Sequence, residues 1–229
     1  MKRLDLYKFA ARILLAWSLL SLAGMLWGRY AIELLIPFLT AATEALGTSY
    51  TPILEYRSLA GGDQLFMTAY VTQEVYINGA LTLNPGATLA VGIDALHVLV
   101  PPVILFTALL AWPVGSRRER MLLMVFGVPA AFIVSGLTVP FLLAGKIEMM
   151  LMDYAAHAGE NRGTPWLVYW MIFGESGGRW LIPLIAAALC GLSAGSVLKP
   201  KHRTVYTPAG DIGRQPNLKP LFNPDSRNI

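Results

Sequence analysis

Asp94 and His97 interrupt an otherwise apolar stretch, and their spacing places them on one face if that stretch is helical. A carboxylate beside an imidazole can relay protons or hold a metal. Inside a membrane span, ionisable groups are costly unless they are paired or wetted. Asp94, however, is only about two turns from the near end of its stretch, where water reaches. A structural hydrogen-bonding role is therefore preferred, ahead of a partner contact and then of chemistry. Met149, Met150, Met152, Asp153 and His157 are residue types that bind copper. Met149 and Met150 point to different helix faces, and methionine also fills apolar gaps, so no metal is assigned. Glu175-Ser176-Gly177-Gly178-Arg179 reads as a flexible turn with Arg179 at headgroup level. Cys190, the one cysteine, lies in an Ala-rich run and reads as an inert packing residue with no disulfide or CxxC role. The sequence contains no HExxH, GxSxG or Walker loop. No catalytic residue or cofactor is assigned, and the chain reads as a non-enzyme.

These residues must be positioned by four apolar stretches, near 11–36, 88–112, 121–144 and 180–198. A hydrocarbon core about 30 Å thick takes about 20 apolar residues at 1.5 Å each. Hydrophobic residues make up 55% of the chain and charged residues 14%, against about 25% charged in an ordinary soluble domain. The net charge of +4 does not imply nucleic acid, because it is segregated along the chain. Thirteen of the 18 basic residues (Lys2, Arg3, Lys8, Arg12, Arg117, Arg118, Arg120, Lys199, Lys201, Arg203, Arg214, Lys219 and Arg227) fall on one side of the stretches. Arg29, Arg57, Lys146, Arg162 and Arg179 fall on the other. Lys and Arg beside spanning segments stay in the cytoplasm, so both termini and the 113–120 loop should be cytoplasmic. The positive start and long apolar run read as an uncleaved signal anchor in a bacterial inner membrane. The expected fold is an all-α polytopic membrane protein with four transmembrane helices and a small exported β meander between helices 1 and 2.

Along the chain, 1–48 comprises a cytoplasmic lead, helix 1 and its exported extension past Pro37, with Arg29 and Glu33 paired four apart. Residues 49–85 are rich in Tyr, Val, Thr and Ile and read as an antiparallel meander with strands at 49–58, 64–72 and 75–83. Asn78-Gly79 offers a tighter hairpin as the alternative register. Such a sheet is too small to stand alone, so it should rest on the membrane face, on the second exported loop or on a partner. Helices 2 and 3 occupy 86–144, joined by a short basic turn, with Pro129 and Pro140 tolerated where neighbours satisfy freed carbonyls. The loop 145–179 should hold an amphipathic helix over 146–158 and an interfacial aromatic segment, 166–173. Helix 4 is 180–198, with Ala187, Gly191 and Gly195 on one face as a close-packing motif. Residues 199–229 read as a disordered cytoplasmic tail.

The order of an N-terminal span, an exported β-rich loop and Leu83-Asn84-Pro85 leading through Val100-Pro101 to the run Phe106 to Pro113 resembles the exosortase H-associated membrane proteins over residues 10–115. That resemblance implies an accessory role in bacterial envelope protein sorting, with the transpeptidase-like activity in another protein. The leading expectation is thus a non-enzymatic inner-membrane accessory or assembly subunit that docks a membrane or exported protein through its exported face. The docking candidates are the aromatic residues Tyr56, Phe66, Tyr70, Tyr76, Trp166, Tyr169 and Trp170. These types also anchor to membrane lipid. Two alternatives are a channel or transporter subunit in which Asp94 and His97 line a polar path, and an intramembrane enzyme using the same pair.

Overall fold

The computed structural model describes residues 3–46, 49–78, 81–114, 116–159 and 161–198. Met1–Leu198 forms one compact unit, and Lys199–Ile229, expected as a disordered tail, lies outside the described residues. The elements run α1 (Arg3–Glu44), β1 (Tyr50–Leu59), β2 (Gly62–Val71), β3 (Val75–Asn78), β4 (Leu81–Leu83), β5 (Thr88–Asp94), α2 (Ala95–Ala111), α3 (Arg117–His157), α4 (Trp166–Phe173) and α5 (Arg179–Leu198). A π-helical turn, Gly174–Gly178, joins α4 to α5. The described residues are mostly helical, and among them three helical runs are long and apolar enough to cross a membrane: Tyr7–Glu44, Arg117–His157 and Trp166–Gly195.

The fourth expected span is shorter than its apolar stretch. Residues 88–94 are strand, so α2 has only 17 residues, about 26 Å and at the lower limit for a crossing. β5 is also the third strand of the main sheet, whose order is β1-β2-β5, antiparallel throughout. The expected third strand, 75–83, is instead two short strands that pair with each other, β3 and β4; the Asn78-Gly79 turn includes residue 79, which lies outside the described residues. β1 is an edge strand carrying Pro52, a residue that an edge tolerates and a central strand does not.

Two of the helices outrun any bilayer. α1 has 42 residues and contains Pro37; α3 has 41 and contains Pro129 and Pro140, so each is about 62 Å long. The expected separate helix over 146–158 is simply the end of α3. That helix starts at a capping box, in which Glu119 N donates to Ser116 Oγ (3.2 Å) and Ser116 N donates to the Glu119 carboxylate (3.1 Å).

The surplus helix length supports the sheet. Alternation on β1, β2 and β5 turns Tyr50, Leu54, Leu65, Met67, Ala69, Leu89 and Ile93 inward. They share one core with Ile32 and Leu39 of α1, Val98 of α2, and Val139, Leu143, Ile147 and Leu151 of α3. A second core, between the basic turn and the far half of the bundle, joins Leu105 and Leu109 of α2, Leu123 and Val134 of α3, and Ala187, Cys190 and Ala194 of α5. The sheet therefore rests on two continuous helices rather than on a loop.

Candidate functional site

Asp94 and His97 flank the junction where β5 becomes α2. Asp94 occupies the N-cap position of α2, but its side chain makes no capping hydrogen bond. Its Oδ2 lies 3.8 Å from His97 Nδ1, beyond hydrogen-bonding range. Asp94 is therefore a junction residue and not part of a helical stretch, which corrects the expectation that both polar candidates lie within helix 2. The two side chains also face different spaces.

His97 lines a cavity of ≈ 20 Å³ together with Thr138, Trp170, Glu175 and Arg179. That volume holds about one water molecule, too little for a substrate or a solute path. His97 Nδ1 and Arg179 Nε are buried there without hydrogen-bond partners among the described residues. The Gly174–Gly178 turn brings Glu175 to this cavity, and Gly177 adopts φ 140° within it, a conformation open to glycine and strained for other residues.

Asp94 instead lines an open cleft of ≈ 460 Å³ between α1, the β1–β2 turn and the start of α2, a volume in the range of ligand sites. Its lower wall is Gly24, Met25, Leu26, Gly28, Leu96 and Leu99; its upper wall is Arg29, Tyr56, Asp63 and Asp94. Arg29 Nε donates to Glu33 Oε1 (2.8 Å), and its guanidinium lies 5.6 Å from the Tyr56 ring centre. Ser58 Oγ donates to Asp63 Oδ1 (2.7 Å), and the Tyr56 phenol also hydrogen-bonds Asp63. Burial, then the Asp63 carboxylate, push the Tyr56 phenol up to about 12. The Tyr56 and Ser58 donors hold Asp63 below the usual carboxylate range.

The aromatic docking candidates divide between surfaces. Tyr70 is 43% exposed on the outward face of the sheet, beside Ile53 at 44%. Phe66 shares that face, half-buried, with the Arg57 guanidinium 4.2 Å above its ring and Arg57 held by Glu55 (2.9 Å). Tyr56 does not belong with them: it lies on the inward side of β1, packed against the main core. The side chain of Tyr76 lies outside the described residues. Trp166 and Tyr169 are exposed on α4, but Trp170 packs on Phe141 and donates its Nε1–H to Leu137 O at 3.0 Å. Trp170 is thus a structural residue rather than a free docking side chain.

That bond belongs to a pattern the sequence did not reveal. Leu137 stands three residues before Pro140, and Phe126 three before Pro129, where Cys190 Sγ–H donates to Phe126 O at 3.7 Å. A helical proline removes the donor to the carbonyl four residues back, Gly136 for Pro140 and Val125 for Pro129; the side chains from α4 and α5 bond the next carbonyls along, Leu137 O and Phe126 O. Gly145 admits α4: a Cβ there would lie 2.6 Å from Met171 Cβ. In the small-residue motif, Ala187 is buried and Gly191 receives the Trp112 indole at 2.4 Å from its would-be Cβ, but Gly195 meets nothing within 4 Å. The motif thus seats one aromatic ring of α2 and does not run on to Gly195. The Gly24/Gly28 pair on α1, with Leu99 2.6 Å from a Cβ at Gly28, carried the same i, i+4 signal unread. The largely buried Glu148–Arg162 pair (2.8 Å) joins residues 14 apart that no sequence pattern links. Of the copper-type residues, Met150 packs on the main core, Met149 is exposed, and His157 Nδ1 lies 2.7 Å from Asp153 O. No group of three His, Cys, Asp or Glu side chains converges among the described residues.

No protein-family model, curated protein or solved structure matches this chain.

Proposed function

We propose that the protein is a non-enzymatic subunit of a bacterial inner membrane that presents its sheet on the exported side and docks a partner protein there. The half of the bundle around the second core would lie in the bilayer, with both termini cytoplasmic. Lengths support that placement. From Arg12 to Arg29 is about 26 Å along α1, α2 is about 26 Å and α5 about 30 Å, matching a hydrocarbon core of about 30 Å. The outward side chains of these segments and of the first half of α3, among them Leu15, Leu19, Leu22, Val125, Ile133, Leu184 and Leu189, are large and apolar. The basic asymmetry sets the orientation.

The observation that carries the docking reading is the mounting of the sheet. Its inner face is sealed against α1 and α3, while its outer face leaves Ile53 and Tyr70 open beside Phe66. A rigid platform of aliphatic and aromatic groups costs little entropy on association. Envelope protein sorting, implied by the resemblance over residues 10–115, is the setting we propose for it. The test is site-specific photo-crosslinking in the native host. Probes at positions 53 and 70 should capture one and the same protein, a probe at the inward position 67 should not, and Ile53→Glu should abolish the adduct. Equal adducts from positions 53 and 67, or an adduct indifferent to Ile53→Glu, would refute the docking face.

A further inference from the structure

We propose that the cleft between α1, the β1–β2 turn and α2 binds an aminophospholipid of the surrounding bilayer, seating its ammonium group between Asp63 and Asp94 and its phosphate near Arg29. The proposal rests on the bilayer placement above but not on the docking face. The cleft is divided by polarity in the direction that a lipid is. Its lower wall has no charge, and Met25, Leu26 and Leu96 there are 78%, 63% and 61% exposed. Its upper wall brings one guanidinium and two carboxylates together where the uncharged run 13–28 of α1 ends at Arg29.

Charge sets the headgroup. Arg29 is already paired to Glu33, so the uncompensated charge of the cleft is negative, and a purely anionic lipid is disfavoured. Asp94 makes no capping bond, and Asp63 takes donors from Ser58 and Tyr56 while keeping further acceptor sites. Ionised carboxylates only accept, so they favour an ammonium bearing N–H donors over a trimethylammonium, which has none. Arg29 can offer remaining N–H groups to the phosphate. The bare helix wall at Gly24, where a Cβ would meet nothing within 4 Å, leaves room for the upper acyl chain.

Native mass spectrometry of the delipidated full-length protein, titrated with phosphatidylethanolamine, phosphatidylcholine or phosphatidylglycerol in mild detergent, tests this. Phosphatidylethanolamine should bind in a 1:1 complex with an affinity roughly tenfold above the other two, as expected for the loss of one charge-assisted hydrogen bond. Asp63→Asn combined with Asp94→Asn should erase that preference. Gly24→Leu should weaken all three lipids by filling the apolar wall, while its unfolding midpoint in lipid-free detergent stays at or above that of the parent. Ile53→Glu should change none of the lipid affinities. Equal retention of the three lipids, or a preference that survives both cleft variants, would overturn the proposal. So would displacement of phosphatidylethanolamine by a lysine-rich peptide at equal concentration, which would make the cleft a peptide seat. Flotation with liposomes separates the two readings. A chain that fails to float contradicts the bilayer placement, whereas one that floats without headgroup preference contradicts the cleft alone.

Discussion

Replacing Gly145 by Ala should detach α4 from α3, and the size of the effect follows from the geometry. A Cβ at 145 would sit 2.6 Å from Met171 Cβ and 2.9 Å from Leu167 O. Comfortable carbon contacts begin near 3.5 Å, so α4 must retreat by about 1 Å. Met171 Cβ and a backbone carbonyl cannot rotate away, so no rotamer change relieves the clash. Overpacking of this kind costs about 1–3 kcal/mol. A retreat of that size also stretches the Trp170–Leu137 bond from 3.0 Å out of range, costing about 1 kcal/mol more. The helix propensity of Ala returns at most about 1 kcal/mol. The clash wins, leaving a net loss of about 1–3 kcal/mol, or roughly 3–10 °C in Tm for a chain of this size. Thermal unfolding in mild detergent measures it, with Gly24→Ala as the control. Nothing lies within 4 Å of a Cβ at 24, so the control should be neutral or stabilising. A Gly145→Ala protein as stable as the control would refute the close α3–α4 seam and the contribution of the Trp170–Leu137 bond to it.

Gly191→Leu should destabilise strongly, because its Cβ would enter the Trp112 ring, whereas Gly195→Leu should be tolerated; the two unfolding midpoints decide between one seated ring and a longer motif. Asp94→Asn and His97→Gln should each leave folded protein at normal levels, since the pair is 3.8 Å apart and not hydrogen-bonded. Loss of the photo-crosslinked partner in either variant would point to chemistry at the pair instead. Asp63 is held below its unfolded value near pH 3.9, so its contribution to the β1–β2 hairpin is present above that pH and fades as pH falls through the folded value. Tyr56 is raised, so its contribution is complete below about pH 10 and is lost as pH climbs toward about 12. Ultraviolet titration should show a late phenol that disappears in Tyr56→Phe; an unchanged titration curve would remove the Tyr56–Asp63 bond from the account.

Much of this architecture is written locally, and the parts that are not have a common cause. The long helices, the strand-rich interval after residue 49 and the turn at Gly61-Gly62 follow from composition and hydrophobic period. β5 does not. Thr88-Leu89-Ala90-Val91-Gly92-Ile93-Asp94 is an apolar run that reads equally well as the start of a helix or as a buried strand. Pairing with β2, from Tyr70↔Thr88 to Gln64↔Asp94, decides it, and such pairing is not visible in a local window. Asp94 is a favoured N-cap type and stands at the start of α2, though its side chain makes no capping bond. Gly145-Lys146 reads in sequence as the end of a span. In the fold Gly145 makes room for Met171, and Lys146 Nζ donates across to Gly92 O at 3.2 Å. The upper cleft is assembled from α1, the β1–β2 turn and the β5–α2 junction, and only the close α1–α2 approach at Gly28 and the sheet register bring Arg29, Asp63 and Asp94 together. Spacing in sequence carries no trace of it.

In the proposed arrangement, long helices cross a membrane and hold the sheet on its exported side. Cysteine accessibility in intact cells tests this most directly, using single cysteines at 70, 117 and 215 in a Cys190→Ala background and a reagent that does not cross the inner membrane. Position 70 should label from outside, while 117 and 215 should label only after the membrane is permeabilised. Labelling of 117 in intact cells, or protection of 70, would contradict the arrangement.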